Sequence, residues 1–260
     1  MKHLGPLLQT AVLAFGSSFL VVHLGAQPAV AQQQETAGHA PDADSYDRIM
    51  NITIPAVQHA PFTSVVTAEW SKTLEDGSTV TRQNHRVVVR DGAGRIFQER
   101  RTVVPKDGSA EPMLTRTEIS DPAKHTKYFC RPDEKVCYLR DYESPPAEDT
   151  EPSGSVGGGK MVVTREGLGK SNISGVEVVG TKETRTIAAG VIGNDRPLTI
   201  TKEFWYSPQL GLNLMVKRMD PRVGTQVFTV TEVGLAEPDP KYFDLPAGFA
   251  VKDMRESAKR

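Results

Sequence analysis

The sequence has few cysteines, few histidines and no excess of either charge. It contains two cysteines and six histidines in 260 residues, and these are too sparse for the usual four-ligand zinc motifs. Lys and Arg number 31 against 32 Asp and Glu, which is not the basic balance of a protein that binds nucleic acid. Neither H-E-x-x-H nor G-x-S-x-G occurs. We therefore expect no enzyme activity, no cofactor and no metal.

Two stretches approach a phosphate-binding loop without completing it. In GSVGGGKM, Met161 stands where a Ser or Thr would bind magnesium, and in the stretch that ends in GKS, Thr164 replaces the first glycine. Such a loop works between a buried strand and a helix N-terminus, and neither stretch has that setting. We interpret both as chance matches.

A long apolar run occurs only at the N-terminus. Lys2 precedes the mostly apolar residues 4–26, and Ala29-Val30-Ala31 forms an A-x-A site. This layout is typical of a secretory signal peptide, with an uncleaved membrane anchor as the alternative. We predict cleavage near Ala31 and a periplasmic or secreted protein. No later run reaches spanning length, so we expect the mature chain not to span a membrane.

From Phe62 onward, apolar residues recur at every second position. Phe62, Val66 and Trp70 share one face of the first predicted strand, which is the pattern of a half-buried strand. Turn signals such as EDGS, DGAG, IGNDRP and DPRVG separate strand patterns that follow one another at a spacing of roughly ten residues. The sequence thus predicts an all-β protein, an antiparallel meander sheet or barrel of about 10–11 strands with one or two short helices.

The chain divides by composition into a few segments. After the signal peptide (1–31), residues 32–60 are predicted to be a disordered lead-in with a candidate short helix near its end. Residues 61–252 are predicted to form a single antiparallel β domain, followed by a tail at 253–260. Within the domain, residues 143–160 are acidic and rich in Pro, Gly and Ser, which predicts a mobile loop.

Both cysteines lie in the stretch YFCRPDEKVCYL. If Pro132 and Lys135 flank a two-residue turn at Asp133 and Glu134, Cys130 lies opposite Cys137 on the neighbouring strand, within disulfide range. The spacer is longer than the C-x-x-C of redox proteins and does not suit zinc. Because exported proteins favour disulfides, we predict a structural bond in this hairpin.

Large apolar side chains on the inward strand faces form a candidate surface for a hydrophobic ligand. The alternative is that they simply fill a core. Since Phe204 and Trp205 are adjacent, they face opposite sides of a strand, and one of them must leave the interior or meet another layer. The candidate residues are Trp70, Phe97, Phe204, Trp205, Leu212, Leu214 and Phe228.

Four motifs in the C-terminal third carry a resemblance. They are IGNDRP at Ile192–Pro197, EFWYSP at Glu203–Pro208, DPRVG at Asp220–Gly224 and EPDPKYFDLPAGF at Glu237–Phe249. With them the chain resembles a family of uncharacterised exported bacterial proteins, although the cysteine hairpin departs from that family. A weaker, fold-level similarity links it to the lipoprotein-carrier half-barrels of the LolA/LolB/RseB-like type.

The second resemblance implies a curved sheet whose apolar concave face holds acyl chains under short helical lids. Neither resemblance supplies catalytic residues, and fold alone does not fix function. We expect an exported envelope protein that binds a lipid, a lipopeptide or another hydrophobic ligand on the concave face. The alternative is an envelope interaction or sensor module that docks another protein at a sheet edge.

Overall fold

Fourteen β-strands join in one curved sheet within residues 52–145 and 153–255, the part of the chain that the computed structural model describes. The sheet stays open and does not close into a barrel. The all-β, half-barrel prediction is therefore confirmed. The strands are β1 (Phe62–Thr73), β2 (Thr79–Arg90), β3 (Ile96–Arg101), β4 (Val104–Pro105), β5 (Leu114–Asp121), β6 (Thr126–Arg131), β7 (Val136–Asp141), β8 (Gly154–Val156), β9 (Met161–Ile173), β10 (Val176–Ile187), β11 (Leu198–Ser207), β12 (Leu212–Asp220), β13 (Gly224–Gly234) and β14 (Ala250–Asp253).

The first strand lies in the middle of the sheet. On one side of β1 follow β2, β3, β5, β6, β7 and β14, and on the other follow β13, β12, β11, β10, β9 and β8. Neighbours pair antiparallel, as expected for a meander, except that β14 runs parallel to β7. The short β4 pairs with β2 away from this path. The pairing of β1 with β13 thus joins an N-terminal and a C-terminal half-sheet.

Three strands are absent from the sequence prediction: β4, β8 and β14. Each has only two to four residues, too few to show an alternating pattern. β8 lies inside the segment predicted to be a mobile loop. The sequence predicts one or two short helices, and the described residues contain one 3-10 turn, Pro240–Phe243. The candidate helix near the end of the lead-in falls almost wholly outside the described residues, as do the signal peptide and residues 146–152.

The strand β9 is also longer than its sequence suggests. The sequence pattern predicts an end at Arg165, but the strand continues to Ile173 through a bulge at Leu168, where the pairing shifts from Gly169 to Gly167. Glycines and a bulge break the alternating pattern that identifies a strand. The GKS stretch therefore lies inside this strand, where no phosphate loop can form.

One face of the sheet, here called the core face, carries the hydrophobic core. Phe62, Val66 and Ala68 of β1 point to it, and Phe228 and Val230 of β13 lie beside them. The opposite face is called the outer face. Along each strand, successive side chains point alternately to the core face and to the outer face. This alternation is what the sequence pattern of β1 predicts.

Residues 52–60, expected to be part of a disordered lead-in, pack into this core. Ile52 is fully buried and Ile54 is 6% exposed. The guanidinium of Arg90, also fully buried, donates to the Ala60 carbonyl at 2.8 and 3.0 Å and to the Pro55 carbonyl at 2.8 Å. The segment follows a polar stretch and is too short for a periodic signal, so the sequence does not reveal this anchoring.

Candidate functional site

Five of the seven predicted ligand-face residues lie together on the core face. Phe204, Leu212, Leu214 and Phe228 are at most 2% exposed, and Trp70 packs against them with its ring edge-on to that of Phe228, the two ring centres 5.6 Å apart. Ile52 and Ile54 belong to the same cluster. An apolar ligand bound to these five side chains would therefore have to displace the residues that already contact them.

Trp205 lies on the other side of its strand from Phe204, as their adjacency predicts. It is partly buried at the margin of the core, and its indole nitrogen donates to Glu203 at 2.7 Å. Its cross-strand partner is Gly180, and a Cβ at that glycine would lie 2.8 Å from the indole ring. The ring therefore lies over backbone that has no side chain.

The seventh residue, Phe97, lies on the outer face. Its neighbours along the strand, Ile96 and Gln98, point to the core face, and its ring centre lies 5.2 Å from that of Tyr242 in the 3-10 turn. Between the sheet and the segment 239–246 runs an open groove of about 530 Å³, here called the outer groove. It is lined by Phe97, Thr117, Ile119, Asp239, Lys241, Tyr242, Asp244, Leu245 and Pro246.

The wall of the outer groove is fastened to the sheet at the turn after β2. The Gly92 backbone N–H donates to both carboxylate oxygens of Glu237 at 3.1 Å. The Arg95 guanidinium lies 4.4 Å from the centre of the Phe243 ring. A salt bridge of 2.6 Å to Asp91 holds that guanidinium in place. The segment is thus positioned by a charge-assisted bond and a cation–π contact rather than by a deep apolar core.

A buried carboxylate organises the core face of the N-terminal half-sheet. Glu118 of β5 is 1% exposed and accepts from Arg100 at 2.9 Å and from Arg116 at 2.9 Å. Lys127 lies 3.3 Å from its second oxygen, and Gln98 donates to the same oxygen at 3.2 Å. Both oxygens of the carboxylate therefore face donors, as a buried charge requires.

These partners decide the ionisation of Glu118. Burial alone would raise the pKa of the carboxyl, but the hydrogen bond from Arg100 and the charges of Arg100, Lys127 and Arg116 lower the pKa to about 2. The carboxylate is therefore ionised at any pH near neutrality. A proton-accepting role in catalysis would need a pKa nearer to the working pH.

Three cations surround the ring of Phe129, the cross-strand neighbour of Glu118. Lys127 lies 4.8 Å, Arg140 5.4 Å and Arg116 5.6 Å from the ring centre. A cavity of about 600 Å³ opens beside this ring at the β6, β7 and β14 end of the sheet. Its lining consists of Lys127, Phe129, Arg140, Asp141, Glu143, Met254 and Arg255.

A second buried ion pair lies in the C-terminal half-sheet. Arg218 and Asp220 are both fully buried, with Nη2 and Oδ2 2.7 Å apart, and Arg222 donates to the same carboxylate at 2.8 Å. Burial raises the pKa of Asp220, but the hydrogen bonds from Arg222 and the charges of both arginines outweigh it and lower the pKa. Asp220 and Arg222 belong to the DPRVG motif, so this motif stabilises the end of β12.

Other family-type motifs also have structural roles. In IGNDRP, Asn194 donates to the carbonyls of Ala188 and Arg196 at 2.9 and 2.7 Å, which closes the turn between β10 and β11. In EFWYSP, the buried Ser207 hydroxyl accepts from the Leu210 N–H at 3.2 Å. Asn194 and Ser207 shape turns and line neither the outer groove nor the cavity beside Phe129, whereas the fourth motif, Glu237–Phe249, contributes one wall of the outer groove.

The cysteine hairpin has the predicted register. Cys130 pairs with Cys137 across β6 and β7, Arg131 pairs with Val136, and the two cysteines are joined by a disulfide bond. Both are fully buried. The predicted disulfide is confirmed. The disulfide bond holds together the two strands that carry Phe129 and Arg140. It therefore stabilises a charged surface of the sheet.

Within 52–145 and 153–255, no group of three or more His, Cys, Asp or Glu side chains is arranged to hold a metal ion. In the same ranges, no helix has the length and apolar character needed to cross a membrane.

Sequence reasoning missed both charged clusters of the core face. It followed the apolar residues and identified no buried charged side chain, yet Arg86, Arg90 and Glu118 are at most 5% exposed. One signal was available: Arg86 and Arg90 are in phase with the apolar Val88 of β2. Alternation therefore identifies the face of a side chain, while the residue type misleads about its burial.

No family model matches the sequence, and no curated protein shows a significant match. Solved structures do match. An uncharacterised conserved protein from Thermus thermophilus has 9% identity and a TM-score of 0.37, over 75% of this chain and 91% of that one. The MucA/MucB complex from Pseudomonas aeruginosa has 14% identity and a TM-score of 0.38, over 75% of this chain and 59% of that one.

A LolA superfamily protein from Nitrosomonas europaea also matches, with 10% identity and a TM-score of 0.28, over 72% of this chain and 91% of that one. The chain thus spans less than two thirds of the matched chain in the MucA/MucB complex. At these identities and TM-scores, no ligand and no residue role is transferred from the matched structures to this chain.

Proposed function

We propose that this chain is an exported envelope protein without enzymatic activity that binds a hydrophobic ligand in the outer groove. The observation that carries the proposal is the groove itself, a space of about 530 Å³ lined by Phe97, Ile119, Tyr242, Leu245 and Pro246. Small-molecule sites typically have a volume of about 300–1,000 Å³ and a mostly apolar lining with a few polar groups. Asp239, Lys241 and Asp244 supply those polar groups at the rim.

This proposal moves the ligand from the core face to the outer face. The part of the core face that carries the candidate residues is already filled, since Phe204, Leu212 and Phe228 belong to one buried cluster with Ile52 and Ile54. Arg90 fixes the segment that carries these isoleucines through hydrogen bonds to the carbonyls of Pro55 and Ala60. A ligand that entered the core face would break those buried hydrogen bonds, whereas a ligand bound in the outer groove would break none of them.

A neutral fluorescent probe tests the proposal. N-phenyl-1-naphthylamine, added to delipidated protein, should show a saturable increase in emission. Leu245→Trp, which fills the groove, should weaken binding at least about tenfold, a loss of about 1.4 kcal/mol. Tyr138→Ala, on the core face, is the matched aromatic control and should leave binding unchanged. Absence of saturable emission, or equal loss in both variants, would rule out the groove as the site.

One observation favours a second function, docking of another protein at a sheet edge. The strand β9 pairs with β10 along its length, but β8 covers only Met161–Val163. Among the described strands, none pairs with the remaining edge of β9, from Thr164 to Ile173. Such an edge can accept an extended segment of a partner. Its bulge and Lys170 are also features that discourage unspecific pairing.

Proline substitution on the edge separates the two functions. Neighbouring residues of a strand direct their N–H groups to opposite edges, so one of Lys170→Pro and Ser171→Pro removes only an outward donor. The wild-type chain should capture a protein partner from envelope extract in a stoichiometric amount. Whichever of the two variants folds should no longer capture that partner. Retention of the partner would exclude docking at this edge, and neither variant should alter probe binding in the outer groove.

A further inference from the structure

The core face of the N-terminal half-sheet carries more positive charge than its carboxylates balance. Arg100, Arg116, Lys127 and Arg140 surround the single buried carboxylate of Glu118 or the ring of Phe129. Four cations therefore face one buried anion. This surplus is a property of the charge arrangement and does not depend on the outer groove.

Glu118 shows how this surface holds an anion. Its carboxylate accepts from a guanidinium on the neighbouring strand and from a second guanidinium on its own strand, and a lysine forms a salt bridge to it at 3.3 Å. Two of these cations, Arg116 and Lys127, also contact the Phe129 ring, and both keep donors beyond those that bond Glu118. They can therefore bind a second anion without releasing the first.

Arg140 is the cation of this group that Glu118 does not hold. It is exposed, and its contact within the described chain is with the Phe129 ring, at 5.4 Å. Arg140 pairs with Lys127 in the register of β6 and β7, so the two side chains leave the same face side by side. Like charges directly opposite each other destabilise a sheet, and a bound anion would relieve that repulsion.

The cavity beside Phe129 gives an anion room. It measures about 600 Å³, and Lys127, Phe129 and Arg140 form one of its walls. Asp141, Glu143 and Arg255 line the rest, and Arg255 is held by the carboxylate of Asp253. An anion is therefore attracted to the wall formed by Lys127 and Arg140, where no carboxylate of the lining is bonded. The adjoining aromatic surface lowers the local dielectric and strengthens that attraction.

We propose that Lys127, Arg140 and Arg116 form a binding site over the Phe129 ring for a multiply charged phosphate-type oxyanion. Guanidinium groups offer a planar fork of donors that matches phosphate oxygens, and a lysine adds a mobile point charge. The surplus of three cations matches a group with more than one negative charge. Such a group occurs in the headgroup of an anionic lipid and in a soluble phosphorylated molecule.

Inorganic pyrophosphate is the probe for the soluble arm. Titrated into the full chain at low ionic strength, it should shift the amide resonances of β6 and β7 and bind saturably in calorimetry. Arg140→Gln should weaken binding about tenfold, because it removes the exposed guanidinium. Arg196→Gln removes an exposed guanidinium in the turn between β10 and β11, and should leave binding unchanged. Arg140→Lys should restore part of the affinity.

Vesicles provide the second arm. Vesicles with phosphatidic acid, whose headgroup is a phosphate monoester with a second ionisable oxygen, should bind the chain, and vesicles of phosphatidylcholine should not, if the phosphate belongs to a lipid headgroup. Binding of either probe that is weakened by Arg140→Gln and unchanged by Arg196→Gln supports the site. Binding of pyrophosphate indicates a soluble phosphorylated ligand, and binding of the vesicles indicates a lipid headgroup. Binding that both variants weaken equally, or no binding in either arm, would overturn the proposal.

Discussion

The Arg100 guanidinium holds the Glu118 carboxylate with two N–H donors, at 2.9 and 3.3 Å. Arg100 comes from β3 and Glu118 from β5, so the pair is a bond between neighbouring strands. A bidentate, charge-assisted pair of this kind is stronger than an exposed salt bridge because the carboxylate is buried and the guanidinium is only 25% exposed. It gives the core face of the N-terminal half-sheet a fixed charge centre.

Stability should fall in acid because of Glu118. Its pKa is lowered from 4.5 to about 2 in the folded chain. A carboxyl with a lowered folded pKa stabilises the fold fully above the unfolded pKa, and this contribution is lost as the pH falls from about 4.5 to about 2. We expect a loss of roughly 3 kcal/mol over that window. Urea denaturation at a series of pH values measures it.

The variant Glu118→Gln isolates this effect from other acids with lowered pKa values, such as Asp121 and Asp220. It should be less stable than the wild-type chain at neutral pH, and the difference should shrink in acid. Glu177→Gln removes an exposed carboxylate that pairs with Lys170, and it should follow the wild-type curve. A difference for Glu118→Gln that does not change with pH would contradict the assignment.

Removing the Arg90 guanidinium should strongly destabilise the fold. Arg90→Met leaves the carbonyls of Pro55, Ala60 and Leu210 without their donor, and each unsatisfied buried group costs about 1–3 kcal/mol. We expect a total loss of about 3 kcal/mol or more in urea denaturation. Arg82→Met, at an exposed position of the same strand, should cost little. Equal stability of the two variants would mean that residues 52–60 are not anchored by Arg90.

Much of the sheet could be predicted from alternation and turns. Eleven strands and the register of the cysteine hairpin follow from local pattern, since Pro132 to Lys135 fix a turn that places Cys130 opposite Cys137. The strand β14 could not be predicted in this way. It is short and exposed throughout, and it pairs with β7, more than a hundred residues earlier in the chain. Its position depends on tertiary contacts.

The candidate ligand surface could be predicted only in part. Five of the candidate side chains lie together on one face, but they share a buried cluster with Ile52 and Ile54, whose segment is held by Arg90, and the sequence does not mark Arg90 as a core residue. The prediction that Phe97 lies among them is wrong. Phe97 follows directly after the inward-facing Ile96, so its side chain lies on the outer face. There its ring contacts Tyr242 of the 3-10 turn. Contacts between distant segments therefore decide which surface is open.

Gly180 should tolerate no side chain. A Cβ there would lie 2.8 Å from both the Trp205 ring and the Leu168 Cβ, so Gly180→Ala forces the indole to move. Overpacking of this kind costs about 1–3 kcal/mol. Thermal denaturation should show the loss, and the emission of Trp205 should change with it. Gly234→Ala, where a Cβ would lie 2.9 Å from the Thr63 hydroxyl, is the matched overpacking control: it should also lower stability but leave the emission of Trp205 unchanged.

The disulfide should add stability without being required for the fold. The bonded cysteines are separated by 7 positions, and a loop of this size gives about 2 kcal/mol of stabilisation through the unfolded chain. The double variant Cys130→Ala with Cys137→Ala should lose that amount in urea denaturation and keep its β-sheet circular dichroism spectrum. Mass spectrometry of the unreduced, denatured protein should find no alkylated thiol. Alkylation of both cysteines without reduction would contradict the bond and, with it, the oxidising compartment that the signal peptide predicts.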